Sequence, residues 1–258
     1  MADLQEFSDF AQALADASRA IITDAVQRPY ELEIKPDQSP VTAVDKAVED
    51  KIRQLISDRF PDHGVLGEER ADTNPQAEFK WIIDPIDGTL PFLAGLPVFG
   101  TLIALVRGEG PVIGVIDMPM TQDRWVGCQG QVTTRNGAPV GCRPCTSLTE
   151  AMMASSNPNF WSDSDRAALG RMNGATRWGV FGGSCMTYGQ IASGHIDVGI
   201  EVGYDIHDYL ALVPVVQGAG GVISDWAGAP LTIASGDRFV AVGDQRLHEQ
   251  ALKTLEGA

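Results

Sequence analysis

The first part of the chain carries two helical hydrophobic patterns followed by strand-like ones. Apolar residues recur at helical spacing over residues 3–26 and again over residues 44–56, and each run predicts an amphipathic helix. A short β segment over residues 31–35 and a turn over residues 36–40 separate the two helices. Further β-rich runs, bounded by Gly/Pro turns, cover residues 79–84, 99–107, 112–118 and 124–128. The pattern therefore predicts an antiparallel sheet covered by two helices.

The rest of the chain alternates strands and helices. Strands are predicted over residues 151–155, 175–180, 196–202, 222–225 and 239–242, and helices over residues 163–172, 184–193, 207–217 and 245–255. Such alternation is typical of a layered α/β fold. The change of pattern near residue 145 predicts two lobes, residues 1–145 and 146–258, that share a broad interface.

Charge and hydropathy exclude two classes of partner. The 258-residue chain has 34 acidic and 19 basic residues, for a net charge of −15. A surface of this sign repels phosphate backbones and disfavours nucleic acid. The most apolar run, residues 99–106, is too short to cross a bilayer, and the acidic residues 1–30 do not have the pattern of a signal peptide. We therefore expect a cytoplasmic protein with neither a nucleic-acid nor a membrane partner.

The cysteines predict reduced thiols. A chain of this length with four cysteines does not have a disulfide framework. Cys142 and Cys145 form a C-x-x-C motif that has no second pair to complete a metal site. We interpret both as ordinary thiols of an intracellular protein.

The segment with the most chemical information is residues 84–89. An apolar strand delivers Asp84 to its end, Pro85 stiffens the exit, and Asp87 follows before a Gly-Thr pair. Two carboxylates this close repel each other unless a cation lies between them, and Mg²⁺ prefers oxygen ligands. The same residues also fit an Asp-Pro turn followed by an Asp-Gly hairpin turn. By itself the segment leaves both interpretations open.

Three more acids are candidates for the same site. Glu68 follows the small, turn-prone residues 63–66, Asp45 lies near the start of the second helix, and Asp208 opens the helix predicted over residues 207–217. A carboxylate at a helix N-terminus is ordinarily a cap. Composition alone does not bring these distant acids together.

Taken in order and at their spacing, these motifs resemble one family. Residues 42–45, 67–69 and 84–89, together with Asp208 and residues 219–221, are similar to the motifs of the inositol monophosphatase family of Mg²⁺-dependent, lithium-sensitive phosphatases. The resemblance covers essentially the whole chain. It implies a layered αβαβα sandwich, a homodimer, two or three Mg²⁺ ions per site and a small phosphorylated metabolite as substrate.

The resemblance also implies a role for each candidate residue. The implied metal ligands are Glu68, Asp84, the carbonyl of Ile86, Asp87 and Asp208. Thr89 and Asp45 are similar to the pair that positions and activates the attacking water, with Glu68 assisting. The implied substrate contacts are the amides of Gly88 and Thr89, which would bind phosphate oxygens, and Gly183, Ser184, Glu201 and Asp208.

Within the family, residues 99–105 and 210–226 look most like the histidinol-phosphate phosphatases, so L-histidinol phosphate is the expected substrate. Ser184 departs from that branch, which carries Asp at this position, and the lost carboxylate weakens recognition of a cationic ester. His207 stands where the family carries Trp, and we expect its side chain to be exposed. The alternatives are an inositol monophosphatase or a related polyol or nucleotide phosphatase, and a catalytically silent protein that binds metal or phosphate.

Overall fold

The computed structural model describes residues 4–27, 32–34 and 40–256. Its helices are α1 (Leu4–Ala25), α2 (Ala43–Arg59), α3 (Thr89–Ala94), α4 (Asp163–Ala175), α5 (Met186–Ala192), α6 (Ile206–Tyr209), α7 (Leu212–Gly218) and α8 (Gln245–Glu256). Its strands are β1 (Leu32–Ile34), β2 (Pro40–Thr42), β3 (Gly64–Gly67), β4 (Phe79–Asp87), β5 (Gly100–Arg107), β6 (Gly110–Met118), β7 (Asp123–Cys128), β8 (Thr134–Arg135), β9 (Ala138–Pro139), β10 (Met152–Ser155), β11 (Trp178–Phe181), β12 (Val198–Val202), β13 (Val222–Asp225) and β14 (Arg238–Val242). Most of the turn predicted over residues 36–40 lies outside the described residues, as do both ends of the β segment predicted over residues 31–35.

Seven strands form the first sheet, in the order β3-β4-β5-β6-β7-β8-β9. Successive residues of its strands pack in different hydrophobic cores, because side chains along a strand point alternately to the two faces of the sheet. Trp81 and Ile83 of β4 pack in the core that includes α1 and α2, whereas Ile82 packs in the core that includes α5 and α7. The predicted antiparallel sheet under two helices is confirmed except at β3, which pairs with β4 in parallel.

Strand β3 was not predicted, because its small residues look like a turn. The residues expected to form a turn-prone stretch instead pair with β4, and all four residues of β3 are buried. Gly64 lies so close to the backbone of Asn74 that a Cβ there would come within 2.5 Å of its carbonyl oxygen. The small side chains therefore allow close packing, and Glu68 directly follows this strand.

Five strands form the second sheet, in the order β11-β10-β12-β14-β13. Val240 of β14 packs with α4 and α8, and Phe239 and Ala241 pack on the opposite face with α5 and α7. The layers are therefore α1/α2, first sheet, α5–α7, second sheet and α4/α8. The αβαβα sandwich is confirmed.

The middle helical layer lies directly on the first sheet. A Cβ added at Gly114 of β6 would overlap the carbonyl oxygen of Ala211, and one added at Gly127 of β7 would overlap the backbone of Pro214. Only glycine permits backbones to approach this closely. The contact fixes the segment that carries Asp208 relative to the sheet that carries Asp84 and Asp87.

The single helix predicted over residues 207–217 is wrong, because α6 ends at Tyr209 and α7 begins at Leu212. Pro214 has no N–H group to continue the helical ladder from the preceding turn, but it is tolerated in the first turn of a new helix. The prediction for residues 175–180 is also shifted, since α4 continues to Ala175 and β11 starts at Trp178. No helix within residues 4–256 that the structure describes is long and apolar enough to cross a membrane. The division into two lobes near residue 145 stays a prediction.

Candidate metal centre

Asp84 and Asp87 reach one site because β4 is irregular between them. In a regular strand, residues three apart point to opposite faces of the sheet. Asp84 pairs with Leu102 and Asp87 with Gly100, so the register shifts between them and β4 gains one residue relative to β5. This bulge brings both side chains to the same end of the sheet. The strand predicted to end at Asp84 therefore continues to Asp87.

Asp208 comes to this site from the short helix α6. It is the third residue of α6, and its Oδ2 atom accepts a hydrogen bond of 2.7 Å from the backbone N–H of Asp205, the N-cap residue. This capping box fixes the orientation of the carboxylate. One carboxylate oxygen from each of Asp84, Asp87 and Asp208 lies within 4.8 Å of the other two. We call these three residues the acidic cluster.

No basic side chain among the described residues forms an ion pair with the acidic cluster. Burial raises the pKa of Asp84 well above its usual value, and the charges of Glu68, Asp87 and Asp208 raise it further. Burial and then the charge of Asp87 raise the pKa of Asp208 in the same way. The Oδ1 atom of Asp84 is buried and has no hydrogen-bond partner among the described residues. An oxygen-rich, buried set of carboxylates with an unsatisfied oxygen fits a hard divalent cation such as Mg²⁺.

Asp87, like Asp208, accepts a short hydrogen bond from a backbone N–H group. The backbone N–H of Cys185 donates a hydrogen bond of 2.6 Å to its Oδ2 atom. Burial raises the pKa of Asp87 to about 6, and the contacts with Cys185 oppose that rise. No role was predicted for Cys185, because nothing local to a Gly-Gly-Ser-Cys run indicates what it will contact.

Glu68 and Asp45 lie beside the cluster. The backbone N–H of Glu68 donates to the carbonyl of Ile83 across 3.2 Å, which places Glu68 at the end of β3 next to Asp84. Its side chain is exposed and shares a hydrogen bond with Asp84. Asp45 is buried at the start of α2 and accepts hydrogen bonds from the backbone N–H (2.9 Å) and hydroxyl (2.5 Å) of Thr42. Burial raises the pKa of Asp45, and the nearby charge of Glu68 raises it further.

The turn after β4 places the remaining residues of the 84–89 motif. Gly88 is the N-cap of α3 with a φ of 85°. The Thr89 hydroxyl donates a hydrogen bond of 3.3 Å to the carbonyl of Ile86. Within the described part of the chain, Asp45 and Thr89 make no hydrogen bond to each other, so their action as a pair stays a prediction.

The segment before α5 covers this turn. Ser184 is buried, with a φ of 45°, and its Oγ atom would lie 2.7 Å from a Cβ added at Gly88. A Cβ at Gly183 would overlap the hydroxyl of Thr187. The structure thus packs Ser184 against the residue expected to bind phosphate.

Glu201 is buried rather than solvated at the end of β12. Its carboxylate accepts hydrogen bonds from the N–H and hydroxyl of Ser156 (2.8 and 2.9 Å), and from the hydroxyls of Ser155 and Tyr188 (both 3.3 Å). Burial raises its pKa to about 8. The charge of Asp87 contributes to that rise, which places Glu201 near the acidic cluster. The donors that surround Glu201 were not predicted, because they come from distant segments of the chain.

The side chain of His207 is largely shielded from solvent. His207 is only partly exposed, and both ring nitrogens are shielded from solvent without a hydrogen-bond partner in the described ranges, because α6 packs against β4 and β5. The expected exposure of its side chain is therefore wrong.

All four cysteines are free, as predicted. Among residues 4–27, 32–34 and 40–256, the acidic cluster is the one group of His, Cys, Asp and Glu side chains close enough to share a metal ion.

Comparison with known proteins places this geometry in a family. The model of the inositol monophosphatase family matches residues 3–258. A relative from Arabidopsis thaliana, bifunctional phosphatase IMPL2, chloroplastic, is 37% identical over 98% of this chain and 76% of its own length. A histidinol-phosphatase from Streptomyces coelicolor is 33% identical over 99% of this chain and 98% of its own. The structure of an inositol monophosphatase from Zymomonas mobilis superposes with a TM-score of 0.91 at 36% identity, covering 99% of this chain and all of the other.

Proposed function

Because the chain belongs to the inositol monophosphatase family, we propose that it is a Mg²⁺-dependent phosphatase of L-histidinol phosphate, a small ester that carries an amino group. Its relatives are phosphoric monoester hydrolases, and so is this chain. The observation that carries the proposal is the convergence of Asp84, Asp87 and Asp208 at one buried point.

The residues present fit the metal that the family uses. Asp84, Asp87 and Asp208 would hold Mg²⁺, with Glu68 and the Ile86 carbonyl as further oxygen ligands beside Asp84. When bound there, Mg²⁺ supplies the positive charge that attracts a phosphate ester to an acidic protein and polarises the reacting groups. The number of ions, two or three per site, is part of the proposal.

The chain's own residues position the water and the phosphate. We assign Asp45 and Thr89 to orienting the attacking water, and Asp45 suits proton transfer because burial raises its pKa towards the working pH. The turn at Gly88 and the start of α3 present backbone amides to phosphate oxygens. In-line displacement at phosphorus depends mainly on such positioning and on charge neutralisation, so no covalent phosphoenzyme is required.

The surroundings of Glu201 favour a substrate that carries an amino group. All the donors to its buried carboxylate are neutral groups of Ser155, Ser156 and Tyr188, and no basic side chain among the described residues forms an ion pair with it. A buried carboxylate without a counter-ion is stabilised by a cationic partner. An ammonium group of the substrate would supply that charge, whereas the hydroxyls of inositol would supply only neutral donors.

Phosphate release from a panel of esters tests the proposal. Purified protein with Mg²⁺ would be given L-histidinol phosphate, inositol 1-phosphate, fructose 1,6-bisphosphate and adenosine 3′,5′-bisphosphate, with and without Li⁺. We expect the highest kcat/KM for L-histidinol phosphate, and inhibition by Li⁺. Glu201→Gln keeps the size of the side chain and should lower kcat/KM for the amino ester more than for the others. A preference for inositol 1-phosphate contradicts the substrate assignment.

An inositol or related polyol phosphate is the second candidate. It is supported by the similarity to the inositol monophosphatase from Zymomonas mobilis. The serine at position 184 also suits a neutral substrate better than the aspartate of the histidinol-phosphate branch. The remaining alternative, a silent metal- or phosphate-binding protein, predicts Mg²⁺ binding without phosphate release from any ester in the panel.

We also propose that the protein is a homodimer that uses β11. This strand is at the edge of the second sheet, and all four of its residues are exposed, including Trp178 (54%) and Phe181 (43%). An exposed apolar edge strand tends to pair with another chain, and a two-fold axis would pair β11 with its copy. Light scattering after size-exclusion chromatography should give a dimer for the parent and a monomer for Trp178→Glu. A monomeric parent contradicts this.

A further inference from the structure

We propose that Glu49 of α2 is a positioning residue that sets the direction of Glu68 by holding the backbone N–H group of Glu69. The inference rests on the proposed function, which makes Glu68 a ligand of Mg²⁺ beside Asp84. Glu68 directly follows β3, and its side chain is exposed. Packing therefore does little to orient this carboxylate, and its direction depends on how the backbone around it is held.

The carboxylate of Glu49 is fully buried and uses both of its oxygens. Its Oε2 atom accepts a hydrogen bond of 2.7 Å from the backbone N–H of Glu69, and its Oε1 atom accepts one of 2.6 Å from the Nε–H of Arg53. A buried carboxylate is tolerated when it is paired and hydrogen-bonded, and Arg53 supplies the opposite charge. The second oxygen is thereby committed to the segment that carries Glu68.

The backbone is anchored on both sides of the Glu68 Cα atom. The N–H of Glu68 donates to the carbonyl of Ile83 on β4, and the next N–H, that of Glu69, donates to Glu49 on α2. A Cβ added at Gly67 would overlap the carboxylate of Glu49, so the glycine leaves the space that this contact needs. Because a residue has only two soft backbone dihedrals, anchoring both flanking peptide groups fixes the direction of the Glu68 side chain.

The same face of α2 carries Asp45. Asp45 and Glu49 are four residues apart in the helix, so their side chains leave it on one side, and both are buried. The proposed function assigns Asp45 to the attacking water and Glu68 to the metal. One rigid helix therefore sets the water-orienting group and the metal ligand relative to each other.

A second link between α2 and this segment is exposed. Arg70 donates hydrogen bonds of 2.9 and 2.7 Å to Asp50, and both side chains are about half exposed. Solvent and salt screen such a pair, so it contributes little. The guanidinium of Arg53 also donates to the carbonyl of Arg70 across 3.2 Å. The buried pair of Glu49 and Arg53 is therefore the main attachment of the segment to α2.

Titration calorimetry with Mg²⁺ tests the positioning role without measuring catalysis. Glu49→Ala removes both acceptor oxygens and should weaken Mg²⁺ binding by about tenfold, as expected for losing a group that orients a metal ligand. Asp197→Ala is the matched control, because Asp197 is likewise buried and accepts a hydrogen bond of 2.7 Å from a backbone N–H (Met152) and another from a guanidinium (Arg143). Asp197 precedes β12, at the opposite end of that strand from Glu201. Its loss should lower the unfolding free energy, as Glu49→Ala does, but leave the Mg²⁺ affinity unchanged.

A double-mutant cycle shows whether Glu49 acts through Glu68. Glu68→Ala removes the ligand itself and should weaken Mg²⁺ binding at least as much as Glu49→Ala does. In the Glu68→Ala background, adding Glu49→Ala should cause no further loss of Mg²⁺ affinity, because the carboxylate that Glu49 positions is already gone.

Amide hydrogen exchange in the metal-free parent tests the same contact even where Glu49→Ala does not fold. The Glu69 N–H should exchange much more slowly than an unstructured amide, because its acceptor is a buried carboxylate that is released only when the segment opens. An amide that exchanges at the unstructured rate shows that Glu49 does not hold it.

The outcomes separate this inference from the proposed function. A parent chain that binds no Mg²⁺ overturns the proposed function and the inference with it, and a Glu68→Ala variant that binds Mg²⁺ like the parent overturns the assignment of Glu68 as a ligand and the inference with it. Three results overturn the positioning role alone: equal Mg²⁺ affinity of the parent and Glu49→Ala, an equal effect of Glu49→Ala with and without Glu68, and an unprotected Glu69 amide. A loss of Mg²⁺ affinity in Asp197→Ala as large as in Glu49→Ala also overturns it, because the effect is then one of stability.

Discussion

The hydroxyl of Ser184 lies against the backbone of Gly88, so close that a Cβ added at Gly88 would come within 2.7 Å of the Ser184 Oγ atom. The two residues belong to different layers of the sandwich, and both have positive φ angles. Their contact closes the turn that follows Asp87 and fixes the start of α3. Two predictions depend on this contact.

The first concerns Gly88→Ala. The substitution should destabilise the fold for two reasons. A left-handed φ costs an L-residue about 1–2 kcal/mol, and the added Cβ would overlap the Ser184 side chain. Gly95→Ala is the matched control, since Gly95 at the other end of α3 also has a positive φ (71°) but no atom within 4 Å of its Cβ position. Urea denaturation should show a larger loss of unfolding free energy for Gly88→Ala. Equal losses would mean that the Ser184 contact contributes nothing.

The second concerns Ser184→Asp. The resemblance implies that residue 184 contacts the substrate, and a carboxylate there can pair with a cationic group of the ester. We expect the ratio of kcat/KM for L-histidinol phosphate to that for inositol 1-phosphate to rise, whereas Ser184→Asn, of the same shape without the charge, should leave that ratio unchanged. Steady-state assays with L-histidinol phosphate and inositol 1-phosphate measure this. An unchanged ratio in Ser184→Asp would place residue 184 outside the substrate pocket.

Stability should depend on pH in a direction set by the buried acids. The pKa values of Asp87 (about 6), Glu201 (about 8), Asp84 and Asp208 are all raised by burial. The folded state therefore holds more protons than the unfolded state above about pH 4, and stability is lost as pH rises through the folded pKa values.

Thermal unfolding of the metal-free protein checks the direction. Tm should fall between pH 5 and pH 8, because the free energy of unfolding decreases by about 1.4 kcal/mol per pH unit for each proton that the folded state holds and the unfolded state does not. Glu201→Gln should remove its share of that slope between pH 6 and pH 8. Saturating Mg²⁺ should flatten the profile because the cation replaces the protons. A Tm that rises over this range would contradict the raised pKa values.

Asp84→Asn removes the most deeply buried member of the acidic cluster. We expect activity to fall by about a thousandfold, equivalent to several kcal/mol of lost metal-dependent stabilisation, and Mg²⁺ affinity to fall with it. The metal-free variant should be at least as stable as the parent, since Asn has no group to ionise where burial and the charges of Glu68, Asp87 and Asp208 oppose ionisation. The exposed Asp72→Asn serves as control and should change neither property. Normal turnover in Asp84→Asn would reject the metal assignment.

Much of the layer structure could be predicted from hydrophobic periodicity. Trp81, Ile82 and Ile83 alternate between two cores as the strand pattern requires. Strand β3 could not be predicted, because Gly64 and Gly67 give no hydrophobic signal and serve close packing. The break between α6 and α7 was also missed, although Pro214 was the signal that could have indicated it.

The candidate site was predictable as a set of residues but not as a geometry. The proximity of Asp84 and Asp87 was visible in the sequence, but the bulge that turns both to one side depends on pairing with β5. Asp208 joins them only because α6 packs on β4 and β5. The contacts of Cys185 with Asp87, and of Ser156 with Glu201, link distant segments, so no local pattern could indicate them.

Phosphate release from L-histidinol phosphate, measured with the purified parent and Asp84→Asn in Mg²⁺ and again in excess chelator, tests the central claim most directly. The account predicts rapid release by the parent in Mg²⁺, near-complete loss in chelator with recovery when Mg²⁺ is restored, and little release by Asp84→Asn in either condition. Release by the parent that persists in chelator, or that Asp84→Asn retains, would contradict a metal-dependent phosphatase built on the acidic cluster.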